Sequence, residues 1–151
     1  MTETGQREDT ASDDGAHPRI IVVGQSPKIV GALEPEFIWR GWIPVVVDDL
    51  DTAVEAIECE ALSAVVVPLS IADIADGRFC PKVRERYPHT FVPIVAYAMG
   101  VGPARVLAWT AGCDAFVSYS AGAAGLCREI AILLTIARDV TPLLLRRSSR
   151  P

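Results

Sequence analysis

Residues 64–77 read AVVVPLSIADIADG, and this stretch decides the predicted fold. The run from Ala64 to Val67 is apolar and rich in β-branched residues, which is typical of a strand buried on both faces. Pro68 cannot donate a ladder hydrogen bond, so the strand should end there. The loop that follows then lies at the carboxyl end of a central strand, where open α/β sheets usually carry their functional groups.

Strands and helices alternate on both sides of this stretch. Apolar runs predict five strands, over residues 19–23, 42–47, 64–67, 91–97 and 115–118. Helical spacing and capping residues predict helices over about 27–39, 52–60, 78–87, 100–111 and 121–138. Alternation at this spacing implies parallel βαβ units. We therefore expect an α/β fold, a three-layer α/β/α sandwich whose five-stranded parallel sheet has the flavodoxin-like order 2-1-3-4-5.

Two prolines fall inside the predicted helices. Pro35 should kink or interrupt the first helix, and Pro142 should prevent the last helix from simply continuing. The sequence thus divides into an acidic tail over 1–18, one domain over 19–140 and a partly flexible extension over 141–151.

The charge of the chain is concentrated in its first residues. The net charge is −5, and residues 1–18 carry five acids against one base, so that segment supplies −4. Acidic segments of this kind are usually disordered. No basic stripe favours nucleic acid, and no stretch of about 18 apolar residues free of charge and proline favours a membrane span. With no secretory signal pattern, we expect a cytoplasmic protein.

The four cysteines are far apart and form no CxxC pair. They are Cys59, Cys80, Cys113 and Cys127. In a cytoplasmic chain this favours reduced, mostly buried thiols, and we expect neither a metal site nor a cofactor.

Several landmarks resemble the receiver domain of two-component response regulators, over roughly residues 18–140. They are VVGQSP at 22–27, Gly41-Trp42 before the second strand, Asp76-Gly77 after the third, Arg84 in the third helix and AGCDAF at 111–116. No single landmark is specific, but their order and spacing together agree with the predicted fold.

The departures from the resemblance fall on its chemical positions. The resemblance implies a phosphoryl-accepting Asp after strand three, an acidic pair after strand one that holds Mg²⁺, a Thr or Ser ending strand four and a Lys ending strand five. This chain has instead Pro68, the pair Gly24 and Gln25, Ala98 and Tyr119. Proline has no side-chain nucleophile, and one amide cannot replace two carboxylates on Mg²⁺. We therefore expect a degenerate, non-enzymatic receiver-like domain, in which Tyr119 fills the space of the Lys and its hydroxyl reaches a polar partner.

Other carboxylates follow nearby strands. Asp73 and Asp76 lie on the loop after the third strand, and Asp48 and Asp49 follow the second. We interpret Asp76-Gly77 as a turn and Asp49 or Asp51 as a helix cap, because phosphoryl transfer would lack its electrostatic support at these positions.

The resemblance implies a partner surface on the fourth helix, fifth strand and fifth helix, and these segments are unusually apolar here. The core stripe of the last helix needs only Leu126, Ile130, Ala137 and either Leu133 or Leu134. Ile132 and Ile136 are then additional apolar residues outside that stripe. Either these residues form a dimer or partner interface, or residues 140–145 fold back and cover them.

Two aromatic residues belong to the same candidate interface. We expect Trp109 to pack against the sheet, with an interface role as the alternative, and Phe116 to be fixed rather than switching.

The sequence favours a stand-alone regulator in two-component signalling that contacts a protein partner, a regulator or kinase, or a second copy of itself. The alternative is a small-ligand-sensing domain that uses the cleft at the strand ends, lined by Gly24, Gln25, Ser26, Ser70, Ser118 and Ser120. An enzyme is the weakest interpretation, since no Ser/His/Asp arrangement, GxGxxG or GxSxG motif occurs.

Overall fold

A five-stranded parallel sheet lies at the centre of the molecule. The computed structural model describes residues 17–59, 61–70, 74, 76–100 and 102–148, with the backbone alone for residue 59 and residues 143–148. The strands are β1 (Arg19–Val23), β2 (Ile43–Val47), β3 (Ala64–Val67), β4 (Ile94–Ala98) and β5 (Ala115–Ser118). The helices are α1 (Pro27–Trp39), α2 (Leu50–Cys59), α3 (Phe79–Arg86), α4 (Pro103–Ala111) and α5 (Gly122–Ser148), with a 3₁₀ turn over Tyr119–Ala121.

The strand order is β2-β1-β3-β4-β5, which confirms the predicted order 2-1-3-4-5 and the α/β class. Every strand pair is parallel, and Val66 of β3 lies between Val22 of β1 and Val95 of β4. All four residues of β3 are fully buried, as predicted for a central strand.

Successive residues of each strand point to opposite faces of the sheet, so the strands feed two cores. Ile21 and Val65 pack on the side of α2, α3 and α4. Ile20 and Val66 pack with residues of α1 and α5 on the other side. Helices therefore cover both faces, which gives the predicted three-layer sandwich.

Helix α1 runs through Pro35 without interruption. Ser26 caps it by accepting a hydrogen bond from Ile29 N at 3.3 Å, as a serine before a proline favours. Leu33 and Phe37, on either side of Pro35, are buried against the sheet. Their burial holds both halves of the helix in place, so the hydrogen bond that proline removes does not end it.

Helix α5 is longer than predicted and contains Pro142. The expected end near residue 138 is wrong, because the helical backbone continues to Ser148. Thr141 Oγ1 accepts a hydrogen bond from Phe91 N at 3.3 Å, which ties the segment around Pro142 to the domain. Residues 140–145 thus continue the helix instead of folding back over it. The last three residues of the predicted extension lie outside the described residues, as do residues 1–16 of the predicted acidic tail.

Helix α5 with its preceding turn, Tyr119–Pro142, is long and apolar enough to cross a membrane by length and composition. The sequence analysis did not anticipate this. A core helix passes the same test, but only 22% of the apolar window is buried here, although Leu126, Cys127 and Ile130 are fully buried against the sheet. The property is therefore only a weak indication of a membrane span.

Candidate functional site

The predicted site positions meet at the carboxyl edge of the sheet. Gly24 and Gln25 follow β1, Pro68 follows β3, Ala98 ends β4 and Tyr119 follows β5. Because all five strands are parallel, their carboxyl ends lie on the same edge. Sequence reasoning thus placed these residues together, and the sheet order puts β3, with Pro68, between β1 and β4.

A hydrogen bond between Tyr119 and Gln25 links the ends of two strands at this edge. The Tyr119 hydroxyl donates to Gln25 Oε1 at 3.1 Å, although β3 and β4 separate the two strands that carry these residues. The ring of Tyr119 also meets Tyr97 of β4 edge to face, with centroids 4.7 Å apart. The tyrosine therefore reaches across the strand ends and finds the polar partner expected for it.

The environment of the two tyrosines favours their neutral forms. Burial raises the pKa of Tyr119 above its ordinary value. Burial and, to a lesser extent, the neighbouring Tyr119 phenol raise the pKa of Tyr97. A neutral donor and a neutral amide thus stand where the resemblance implies a cationic Lys and an acidic pair.

Two of the carboxylates near this edge, Asp49 and Asp76, have structural partners. Asp49 Oδ1 accepts from Thr52 N at 2.8 Å and caps α2, and that hydrogen bond lowers the pKa of Asp49. Asp76 lies 3.5 Å from the Arg78 guanidinium at the surface, in a turn closed by Gly77 N and Ile74 O at 3.0 Å. These findings confirm the interpretation of Asp49 as a cap and of Asp76-Gly77 as a turn. Asp73 lies outside the described residues.

No metal centre forms at the edge or elsewhere in the part of the chain that the structure describes. No group of three or more His, Cys, Asp or Glu side chains there could hold a metal ion. Mg²⁺ prefers carboxylate oxygens in proteins, and Gly24, Gln25 and Pro68 supply none.

The serines of the alternative ligand cleft are partly engaged with each other. Ser118 Oγ accepts hydrogen bonds from Ser120 N at 3.3 Å and from Ser120 Oγ at 3.1 Å, so the Ser120 backbone N–H in the 3₁₀ turn has a partner. Ser26 is occupied as the cap of α1, and Ser70 is exposed. Gln25 differs, because its Nε2 is buried and has no hydrogen-bond partner within the described structure.

The candidate interface residues divide into exposed and buried ones. Trp109 is 72% exposed, so the expectation that it packs against the sheet is wrong. Ile132 and Ile136 are 50% and 43% exposed. They lie outside the buried stripe of α5, which consists of Leu126, Ile130, Leu133 and Ala137. Phe116 is buried, in keeping with a fixed side chain, and the Arg105 guanidinium lies 5.6 Å from its ring centroid. Trp109, Ile132 and Ile136 are therefore the candidates that present apolar surface.

A second exposed apolar surface lies at the end of α1. Ile38 and Trp39 are 69% and 79% exposed. The Arg40 guanidinium lies 5.7 Å from the Trp39 ring centroid and 5.4 Å from the Trp42 ring centroid. Sequence analysis missed this surface, although Ile38 and Trp39 fall outside the i, i+4 stripe of Ile29, Leu33 and Phe37 and could have been singled out on that ground.

The amino edge of the sheet carries an ion-pair network. Arg84 Nη2 lies 2.8 Å from Asp114 Oδ2, and Arg84 Nη1 donates to Val92 O at 2.8 Å. The same Asp114 oxygen accepts from Ile94 N at 2.7 Å, at the first residue of β4. Both side chains had been noted as landmarks, but their pairing across 30 residues depends on the fold.

Comparison with known proteins shows the fold. No protein-family profile matches the sequence, and no curated protein matches it either. Among solved structures, a CheY-like response regulator receiver domain protein from Methanospirillum hungatei JF-1 superimposes with a TM-score of 0.68 at 15% identity, over 82% of this chain and 98% of that chain. A response regulator from Thermotoga maritima gives a TM-score of 0.68 at 14% identity, over 79% and 98%.

A third similar structure is the receiver domain of a sensor histidine kinase from Pseudomonas aeruginosa PAO1, which was solved with a magnesium ion coordinated in its active-site cleft. Its TM-score is 0.66 at 19% identity, over 79% of this chain and 98% of that chain. All three likenesses span nearly the whole of the solved domains at low identity. The chain therefore has the fold of CheY-like receiver domains.

Proposed function

We propose that this chain is a receiver-like signalling protein that acts through protein–protein contacts without being phosphorylated. The solved structures compared above are a response regulator receiver domain protein, a response regulator and the receiver domain of a sensor histidine kinase. Together with the sequence resemblance, they favour a role in two-component signalling. That fold and the chemistry of the carboxyl edge together support a regulatory role and argue against catalysis.

The hydrogen bond between Tyr119 and Gln25 carries this proposal. A phosphoryl acceptor needs a nucleophile and cationic support for the charge that develops on the transferred group. Pro68 supplies no nucleophile, and the residue after β5 is a neutral tyrosine whose hydroxyl is already bonded to the residue that follows Gly24. The edge has the shape of a receiver site but not its charges.

The contact surface that we propose consists of α4, β5 and α5. Trp109 on α4 and Ile132 and Ile136 on α5 are exposed apolar side chains, the kind that interfaces bury. The partner is a regulator or kinase, or a second copy of the chain as a homodimer. Under this proposal the protein is cytoplasmic, and its function requires no nucleic acid, membrane, metal or cofactor.

The proposal is tested by placing charge on the exposed face of α5. The double variant Ile132→Glu/Ile136→Glu should weaken self-association or partner binding at least about tenfold, because each glutamate would have to be desolvated at the interface. The measurement is the mass of the purified full chain by light scattering, together with the proteins that co-purify with it in stoichiometric amount.

Arg138→Glu is the matched control, since Arg138 is also exposed on α5 but lies on another side of the helix from Ile132 and Ile136, and the change makes the net charge more negative by two, as the double variant does. It should leave the mass and the bound partner unchanged. If the double variant behaves like the parent in both measurements, α5 is not the contact surface. Far-ultraviolet circular dichroism of all three proteins separates lost binding from lost folding.

A second candidate function is favoured by the buried Nε2 of Gln25, which lacks a partner within the described structure. A small ligand with a carbonyl or anionic oxygen at the strand ends would satisfy that donor. A metabolite that raises the melting temperature of the parent, and not that of Gln25→Leu, would support ligand sensing. The absence of any such metabolite leaves the contact function as the better account.

A further inference from the structure

A groove lies between the end of α1 and α5, on the face of the sheet opposite to α2 and α3. It has a volume of about 370 Å³. The residues that line it include Pro18, Arg40, Trp42, Thr135 and Arg138. Two of the described lining residues are arginines and none is acidic, so the groove suits an acidic ligand.

The two arginines of the groove are not neutralised by neighbouring carboxylates. Neither forms an ion pair within the described residues, although Glu36 lies one helical turn before Arg40 and Asp139 follows Arg138. The Nε of Arg40 is buried and has no hydrogen-bond partner in that part of the chain. Buried donors are normally hydrogen-bonded, so Arg40 lacks an acceptor of the kind that a carboxylate provides.

Arg40 lies in a less polar environment than an ordinary surface arginine. Its side chain is half-buried, and its guanidinium lies 5.4 Å from the ring centroid of Trp42, which is itself buried. Pairs of fully exposed charges contribute little to binding, whereas partial burial lowers the effective dielectric constant and strengthens the attraction. A carboxylate in the groove would therefore be held more firmly than in a surface ion pair.

The chain enters the described structure at the rim of this groove. His17 Nδ1 donates a hydrogen bond to Gly41 O at 3.1 Å, and Pro18 O accepts one from Ile43 N at 2.8 Å. These contacts fix His17 and Pro18 beside Arg40. The segment that precedes His17 is therefore tethered at the groove.

That segment, residues 1–16, has the opposite charge to the groove. It carries five acids and one base, which gives a net charge of −4. Asp13 and Asp14 precede Pro18 by five and four residues, so an extended chain can carry them about 13–18 Å from it, which is enough to span the groove. A tether this short gives an effective concentration on the order of millimolar, which favours the chain's own segment over that of a second copy.

We propose that residues 1–16 bind in this groove of their own chain, with Asp13 and Asp14 paired to Arg40 and Arg138. The bound segment would link the α1–β2 connection to α5. It would also keep other acidic ligands out of the groove.

The proposal goes beyond the proposed contact function and does not depend on it. Arg138 lies on another side of α5 from Ile132 and Ile136, so the bound segment leaves these two residues uncovered.

The experiment records amide chemical shifts of the ¹⁵N-labelled full chain and of its variant Asp13→Asn/Asp14→Asn. The amides of Trp42, Thr135 and Arg138 should shift in the variant, because the segment leaves the groove. Raising sodium chloride from about 20 to about 500 mM should move the same amides of the parent in the same direction, since salt screens the ion pairs. The variant should show no such response to salt.

Arg138→Gln is the reciprocal variant. It should move the amides of residues 10–16 in the direction in which high salt moves them in the parent.

Two matched controls lie across the sheet from the groove. Glu55→Gln/Glu58→Gln removes two exposed acids from α2, and Lys82→Gln removes one exposed base from α3. Neither should move the amides of the groove or of the segment. Circular dichroism checks that every variant is folded.

Three results would overturn the proposal. One is a set of groove amides that is the same in the parent and in Asp13→Asn/Asp14→Asn. Another is a labelled sample of this variant whose groove amides return to the parent positions when unlabelled parent is added, since the segment would then bind a second copy. The third is a groove that responds to added polyglutamate but not to the change in the segment, which would make it a site for an acidic partner.

Discussion

The two edges of the central sheet differ in what their polar side chains do. At the amino edge, Arg84 and Asp114 form an ion pair at 2.8 Å and also bond the backbone of Val92 and Ile94. At the carboxyl edge, the strand-end contact is a hydrogen bond at 3.1 Å between two uncharged side chains, Tyr119 and Gln25. At the amino edge, charged side chains link the strands to a helix. At the carboxyl edge, where this fold usually carries its functional groups, the contact is between neutral side chains.

The difference shows that the fold does not depend on charges at the carboxyl edge. The sheet, its order and both cores are present with Pro68 after β3 and Tyr119 after β5. The charges at the amino edge have a different role, because α3, β4 and β5 meet there and share one carboxylate. Changes at the two edges should therefore have unequal consequences for stability.

Asp114→Ala should have the largest effect. It removes the partner of Arg84 and leaves the part-buried N–H of Ile94 without its acceptor, so we expect a loss of about 2–3 kcal/mol in the free energy of unfolding. The measurement is urea-induced unfolding followed by circular dichroism.

Asp114→Asn is the control for that change. Its amide oxygen can still accept from Ile94 N, so about half of the loss should return. A loss below about 0.5 kcal/mol for Asp114→Ala would mean that the amino edge holds the fold no better than an ordinary surface pair.

Tyr119→Phe should have a smaller effect. It keeps the ring contact with Tyr97 but removes the hydroxyl that bonds Gln25, and the expected loss is about 1 kcal/mol. Urea unfolding of the variant and the parent at the same pH measures it.

The pH dependence of stability sharpens this test. Because burial raises the folded-state pKa of Tyr119, its contribution is complete below its ordinary pKa of about 10 and is lost as pH rises through the higher folded value. Tyr119→Phe should therefore lose less stability than the parent above pH 10. Equal slopes for the two proteins would show that Tyr119 ionises as freely in the folded as in the unfolded chain.

Magnesium with beryllofluoride, a mimic of an aspartyl phosphate, should have the smallest effect, namely none. The carboxyl edge offers neither the carboxylates that Mg²⁺ prefers nor a side-chain acceptor at Pro68. Amide chemical shifts of residues 23–26, 67, 69, 70 and 117–120 should stay unchanged when both are added. Shift changes confined to these residues, and absent with Mg²⁺ and fluoride alone, would show that the carboxyl edge binds the phosphoryl mimic. The contrast drawn between the two edges of the sheet would then be wrong.

The fold was predictable because it rests on patterns that are local in sequence. The run Ala64–Val67 identified the central strand, and the alternation of apolar runs with helical spacing predicted the parallel sheet and its order. The same reasoning brought Gln25 and Tyr119 to one edge, since parallel strands end together.

Prolines and surface aromatics were predicted less well. Pro35 and Pro142 break local helix rules, but the helices continue because buried side chains, Leu33 and Phe37 in one and Leu133 and Ala137 in the other, anchor the turns before or around them. Trp109 is apolar and was expected inside, yet the inward positions of α4 are taken by Ala108 and Ala111. The buried face of a short helix depends on how closely the helix packs against the neighbouring elements, and the spacing of apolar residues in the sequence does not give that distance.

The sequence by itself determined the class of fold, the strand order and the absence of a nucleophile and of acidic metal ligands at the expected positions, because residue identity and local periodicity decide these. The tertiary structure alone decided the pairings of Arg84 with Asp114 and of Tyr119 with Gln25. Each pair joins residues about 30 or more positions apart, and contacts over such separations form only when packing of the sheet and helices fixes where the chain returns.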